Sequence, residues 1–248
     1  MSKIVGRTLD FLEVFADQKR PLSSSEIARL LDIPASSCHD VLQALLDRGY
    51  LYELTPRGGY YPTLRLYEVA KTIAEHDPVP LRADGILKAL RDKIDESILL
   101  SKVNGLDATY LLAIEPSHPL RFLANVGDRV RSLHATSAGK ALLANLSHDA
   151  LNDYLKSANL SSLTARTITS KSALREELAA GNLRGWFANR EESQEGVTTL
   201  SARFVWTSAC YIVTIAGPSS RLGPKLAKAA EALMSVVALL EAPTRADS

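Results

Sequence analysis

The side chains that could carry chemistry are few and scattered. Ser137-Ala-Gly-Lys140 has the Ser-x-x-Lys spacing in which an amine can activate a serine for acyl transfer. The Ser-Asp-Asn and Lys-Thr-Gly elements that accompany that chemistry are absent, so a small-molecule hydrolase is a weak alternative. There is no Gly-x-Ser-x-Gly, no phosphate-binding Gly-x-x-x-x-Gly-Lys-Ser/Thr and no His-Glu-x-x-His. His39, His76, His118, His134 and His148 show no metal-ligand spacing. Cys38 lies on an apolar helix face and Cys210 in an apolar strand run, so both read as core. Neither a metal nor a cofactor is expected, and an enzyme is not.

A different chemistry is better represented: hydrogen bonding to nucleic acid. Ser36, Ser37, His39, Asp40 and Gln43 share the polar side of one helical stretch. Serine and glutamine reach phosphates and base edges. Arg57 sits between Pro56 and Gly58 at the tip of a hairpin, and Lys19 and Arg20 lie in a loop before a helix. These are places from which a cation can meet a DNA backbone.

The elements around these residues form a recognisable order. A first helix over about Gly6 to Ala16 carries Leu9, Leu12 and Phe15, with Phe11 beside them. Ser23 and Glu26 make a capping box for a second helix with Ile27, Leu30 and Leu31 on its apolar side. Asp32-Ile-Pro34 turns the chain into a third helix. Its Cys38, Val41, Leu42, Leu45 and Leu46 recur at i, i+3, i+4, i+7 and i+8, and Gly49 stops it. Tyr50–Leu54 and Tyr60–Leu64 read as hairpin strands, and a further helix runs from about Leu64 to Glu75. Three helices with a three-residue turn, followed by a hairpin, make a winged helix-turn-helix pattern.

His76-Asp-Pro-Val-Pro80 breaks the chain, because paired prolines stop a helix. The expected division is residues 1–63 for DNA binding, 64–78 for a linker helix and 79–248 for a sensor domain. In that last part, helices are expected over Leu81–Glu96, Ser137–Leu146, His148–Leu155, Ser172–Ala180 and Gly223–Glu241. Strands are expected over Ser97–Val103, Ala108–Ile114, Val197–Trp206 and Cys210–Ala216, with Arg121–Ala124 as a candidate fifth. Strands interleaved with helices give an α+β chain with a mixed sheet and helices packed on it.

Composition sets limits on all of this. The 248 residues carry 29 basic and 28 acidic side chains, so net charge gives no support for a nucleic-acid partner. Residues 1–75 are themselves near neutral, with nine basic and ten acidic side chains. Few phosphate contacts per copy would make two copies necessary for tight binding. A winged-helix protein-interaction module without DNA contact stays open as the alternative. No apolar run approaches the length of a membrane span, and no signal-peptide block opens the chain, so a cytoplasmic protein is expected.

Several segments together resemble the IclR family of bacterial transcriptional regulators. They are Arg7-Thr-Leu-Asp-Phe-Leu-Glu-Val-Phe15, Pro21-Leu-Ser-Ser-Ser-Glu-Ile-Ala28, Pro34-Ala-Ser-Ser-Cys-His-Asp-Val-Leu42 and Arg48-Gly-Tyr50 in the first part. His134-Ala-Thr-Ser-Ala-Gly-Lys-Ala141, Leu163–Thr169, Glu191-Glu-Ser-Gln-Glu-Gly-Val197 and Ile215-Ala-Gly-Pro218 follow in order. The resemblance implies a GAF/profilin-like sensor domain, and homodimers or tetramers on palindromic double-stranded operator DNA. It implies a small-molecule effector, a small organic or aromatic acid of catabolism. It places the effector against Ser137 and Ala138, with Asn189, Thr199 and Thr214 around it and Phe122 and Ala216 as apolar wall. The chain departs from the family pattern at Ala35 and Asp40, where many members are basic. It departs again at Thr199, where a cysteine is common, and at Asn189, where some members have aspartate. The small residues at a helix start also suit a carboxylate, because free N–H groups and the helix dipole point there.

Overall fold

A computed structural model describes residues 3–54 and 59–242. Its contacts divide the chain into two units, Met1–Asp77 and Pro78–Ser248.

The first unit holds α1 (Lys3–Gln18), α2 (Ser24–Leu30), α3 (Ala35–Asp47), β1 (Leu51–Glu53), β2 (Tyr60–Pro62) and α4 (Arg65–Glu75). Phe11, Phe15, Leu22, Ile27, Cys38, Leu42, Leu45 and Leu51 form its core. Leu9 is 55% exposed, so the buried side of α1 runs through Phe11 and Phe15, not through Leu9. The capping box is present: the Ser23 hydroxyl accepts from the Glu26 N–H, and Glu26 accepts from the Ser23 N–H. These contacts, with Ser23's backbone first, hold the Glu26 carboxyl down at about 2. Helix α3 ends in a paired closure. Gly49 takes φ +72, its N–H donates to Leu46 O, and Tyr50 N–H donates to Leu45 O. That is the six-to-one, five-to-two pattern that glycine permits. The wing strands pair Leu51 with Pro62 and Glu53 with Tyr60. Tyr60 also bonds to Leu22 in both directions, which ties the wing to the chain before α2.

The second unit is a five-stranded sheet in the order β4-β3-β7-β6-β5. The strands are β3 (Ser97–Asn104), β4 (Asp107–Ile114), β5 (Phe187–Arg190), β6 (Val197–Trp206) and β7 (Ala209–Pro218). Every pairing is antiparallel, a more uniform sheet than the mixed one expected. One face packs on α5 (Pro78–Ile94) and α10 (Leu226–Glu241), through Ile98, Leu100, Leu200, Val213 and Ile215 among others. The other face receives α6 (Ser137–Leu143) and α8 (Lys171–Arg184), with α7 (His148–Ser157) beyond. Helix α9 (Ser219–Leu222) is a single turn before α10.

Two expectations are corrected here, and one strand is added. Pro78 and Pro80 lie in the first turn of α5, where a missing N–H costs nothing, so the helix starts at the prolines instead of after them. Residues 121–124 form no strand. The segment is held by side chains instead: Ser97 Oγ donates to Phe122 O and Arg221 to Leu120 O. Strand β5, too short to show a pattern in the sequence, supplies one edge of the sheet.

Candidate functional site

Helix α3 presents Ser36, His39, Asp40 and Gln43 to solvent, while Cys38, Leu42 and Leu45 are buried. Ser37 is half-buried. It turns with Asp40, Val41 and Ala44 toward a groove of about 660 Å³ that Leu12 and Leu66 also line. The cations are partly engaged. Arg20 pairs with Glu26 at 2.9 Å and donates to Pro21 O. Lys19 is exposed, in the left-handed backbone region at φ +54. Gln43 Nε2 donates to Asp47 one turn later on the same helix, at 2.7 Å. Arg57 lies outside the described residues.

The second candidate region is the sheet face under α6. Register brings its residues together in rows. Ser97, Ala216, Thr199 and Asn189 lie across one row, and Leu99, Thr214, Ser201 and Phe187 across the next. Ser137, the first residue of α6, sits over both rows. Its hydroxyl meets Thr199 Oγ1 at 2.6 Å and Ser201 Oγ at 2.7 Å. Ser201 in turn meets Thr214 Oγ1 at 2.8 Å. All four are buried. Ala138 and Ala216 are buried beside them as apolar wall.

Two sequence-expected residues sit differently. Asn189 is fully buried, but its side chain holds the following loop. Its Oδ1 accepts from Glu192 N–H at 2.6 Å, and its Nδ2 donates to Ser193 Oγ at 2.8 Å. Phe122 lies one step along the same face, in a groove of about 420 Å³ with Val197 and Pro218. Val197 and Pro218 are partners in the row next to Thr199 and Ala216, so the groove adjoins the hydroxyl cluster. The helix start does less than expected. Helix α6 has seven residues, and Thr136 Oγ1 already caps the Gly139 N–H. A carboxylate here would be met by hydroxyl protons instead.

Sequence reasoning missed Ser201, which occupies the middle of the hydroxyl chain. It also missed the buried ion pair next door. Lys140 Nζ donates to Glu192 Oε1 at 2.6 Å and to Ala188 O at 2.9 Å. Burial pushes the Glu192 carboxyl up, with Lys140 opposing it. Glu192 Oε2 has no hydrogen-bond partner. The pair fastens α6 to the β5–β6 connection. It also takes the amine that a Ser-x-x-Lys mechanism would need near Ser137. Both cysteine thiols are pushed up by burial, which disfavours the thiolate. Among the described residues, no group of histidines, cysteines and carboxylates could hold a metal ion.

An exposed polar helix on a winged unit and a buried polar face on an α/β unit are what a two-domain transcriptional regulator with a helix-turn-helix requires. The comparisons agree. The model for the IclR helix-turn-helix domain matches residues 5–54. The model for the bacterial transcriptional regulator IclR C-terminal domain matches residues 71–239. The chain belongs to the IclR family: it is a transcriptional regulator with a DNA-binding helix-turn-helix domain and a C-terminal effector-binding domain.

Among curated relatives, it is 28% identical to a transcriptional regulator named SauR from Cupriavidus necator. That match spans 218 residues, 87% of this chain and 86% of the relative. A transcriptional regulator from Rhodococcus sp. RHA1 has the same fold, with TM-score 0.75, 24% identity and 97% of each chain covered. So does an IclR homolog from Microbacterium hydrocarbonoxydans complexed with 4-hydroxybenzoate, with TM-score 0.73 and 21% identity. That match covers 96% of this chain and 98% of the homolog. Among the described residues, no helix is long and apolar enough to cross a membrane.

Proposed function

We propose that this protein is a cytoplasmic, ligand-responsive regulator that binds palindromic operator DNA as a dimer or a pair of dimers and catalyses no reaction. Helix α3 enters the major groove with Ser36, His39 and Gln43, and Ser37 lies at its edge. Lys19, Arg20 and Arg57 meet the backbone. The effector is a small organic acid, received at Ser137, Thr199 and Thr214 beside Ala138, Ala216, Phe122 and Asn189. The 4-hydroxybenzoate in the homolog supports that class. Its binding shifts the population between operator-competent and incompetent arrangements, through unequal affinity for the two.

The observation that carries the reading is the pairing of two polar faces in one chain, one exposed on α3 and one buried under α6. Dimer formation has separate support. Helix α4 buries no residue, and Val69 and Ile73, one turn apart on the same side of it, are 40% and 68% exposed. An apolar stripe of that kind favours a partner.

The test uses DNA from upstream of the protein's own gene. Gln43→Ala and Arg57→Ala should each weaken selective binding, by about 1–3 kcal/mol where a base contact is lost. Unchanged affinity in both would overturn the DNA-face assignment. Ser137→Trp should abolish the response to effector while leaving DNA binding in place, and a retained response would overturn the pocket.

A further inference from the structure

We propose that the effector site selects a small acid carrying several hydroxyl groups over a flat aromatic acid, with Ser201 as the specificity-determining residue. This rests on the effector-binding reading of the α6 face. The hydroxyls form a linear chain, Thr199–Ser137–Ser201–Thr214, joined by three hydrogen bonds. Each hydroxyl has one proton to donate. Three bonds use three of the four protons, so one proton of the chain is left for an acceptor. The next row adds an independent sign. Ser101 pairs with Ile212 on the same face, is fully buried, and its Oγ has no hydrogen-bond partner. A buried hydroxyl left without a partner is costly and calls for one.

A ligand that enters between α6 and the sheet must break the chain. A molecule with several hydroxyls replaces each broken bond with a new one, and its carboxylate accepts the spare protons. A benzene ring offers nothing at those positions, and the site's polar atoms stay unpaired. Sites built to bond a ligand hydroxyl reject analogues that lack it, by up to about 10⁴–10⁵-fold. Lys140, the cation next to Ser137, is held by Glu192 and Ala188. Ser137 and Ser201 are the two interior links, and Ser201 is the one that the sheet carries, so it sets the donors that the sheet offers.

The experiment is calorimetric titration of the full-length protein with two sets of probes. One is a panel of five- and six-carbon aldonic and aldaric acids, gluconate included. The other is benzoate and 4-hydroxybenzoate. The expected result is saturable binding of at least one sugar acid, about tenfold or more tighter than either benzoate. Ser201→Ala should weaken that binding by about tenfold, the loss of one good hydrogen-bond partner. Ser101→Ala gives a readout that a purely structural serine would not. It should raise the melting temperature of the ligand-free protein, because an unpaired buried group is removed, and still weaken the sugar acid.

Tighter binding of a benzoate, binding of neither set, or a Ser201→Ala protein that folds and binds the sugar acid unchanged would each overturn the proposal. Selective DNA binding is measured separately without ligand. A failure there strikes the regulator reading and leaves this ligand preference to stand or fall on the titrations.

Discussion

The two polar faces of this protein use the same residue types in opposite ways. On α3, Ser36, His39 and Gln43 are exposed, and their partner is solvent or, for Gln43, a neighbouring acid. Under α6, Ser137, Ser201 and Thr214 are buried, and their partners are one another. An exposed hydroxyl can be given up to a new partner at little cost, because water already competes for it. A buried one can be given up only to a partner that replaces the bond. The first face therefore suits the varied edges of a DNA groove. The second suits one kind of ligand. The difference extends to charge. The acids near α3 sit at the surface, whereas Glu192 and Lys140 are sealed together beneath α6.

The largest expected effect comes from breaking that seal. Lys140→Met leaves Glu192 buried without its cation, and should cost about 3–5 kcal/mol in urea unfolding. The pH dependence has a definite sign. Burial raises the Glu192 carboxyl in the folded state, and removing Lys140 takes away the influence that opposes the rise. A raised carboxyl stabilises the fold below its unfolded value, and that stability is lost as pH rises through the folded one. The deficit of Lys140→Met should therefore shrink in acid and grow toward neutral pH. Adding Glu192→Gln should recover part of it, since the uncompensated charge is gone. A deficit independent of pH would mean that Lys140 acts only through packing.

A smaller effect sharpens the contrast at the exposed unit. Ser23→Ala removes the cap of α2, which should cost about 1 kcal/mol. Glu26 is held at about 2 against 4.5 ordinarily, chiefly by Ser23. A depressed carboxyl stabilises above its unfolded value, so this contribution should fade as pH drops from 4.5 toward about 2. Carboxyl NMR titration of Glu26 in the parent and in Ser23→Ala would show it. The variant keeps the Ser23 N–H donor, so only a partial rise is expected, and an unmoved titration would remove the hydroxyl contact from the account.

Legibility followed the range of the interactions. The capping box, the apolar face of α3 and its glycine closure are local, set by residues within a few positions, and the sequence displayed them. Strand β6 shows its bounds because apolar and small residues, Arg203 apart, fill it from Val197 to Trp206. Strand β5 has four residues, too few for a periodic pattern. The strand-like stretch at residues 121–124 forms no strand: the Ser97 hydroxyl holds Phe122 O, and the Arg221 guanidinium holds Leu120 O just before it. In the site, family resemblance supplied Ser137, Thr199 and Thr214. Ser201 gave no local signal, since its role depends on a serine 64 residues away in the chain. Lys140 and Glu192 are separated by 52 residues, and only the packing of α6 on β5 and β6 brings them together.

The most direct test of the regulator account is fluorescence anisotropy of the full-length protein. The DNA upstream of its own gene is compared with a scrambled sequence across a salt series. The account predicts selective binding that weakens as salt rises, since released counterions accompany phosphate contacts. No binding to either DNA, even at low salt and with the sugar-acid and benzoate panels added, would contradict it. The winged unit would then serve a protein partner instead.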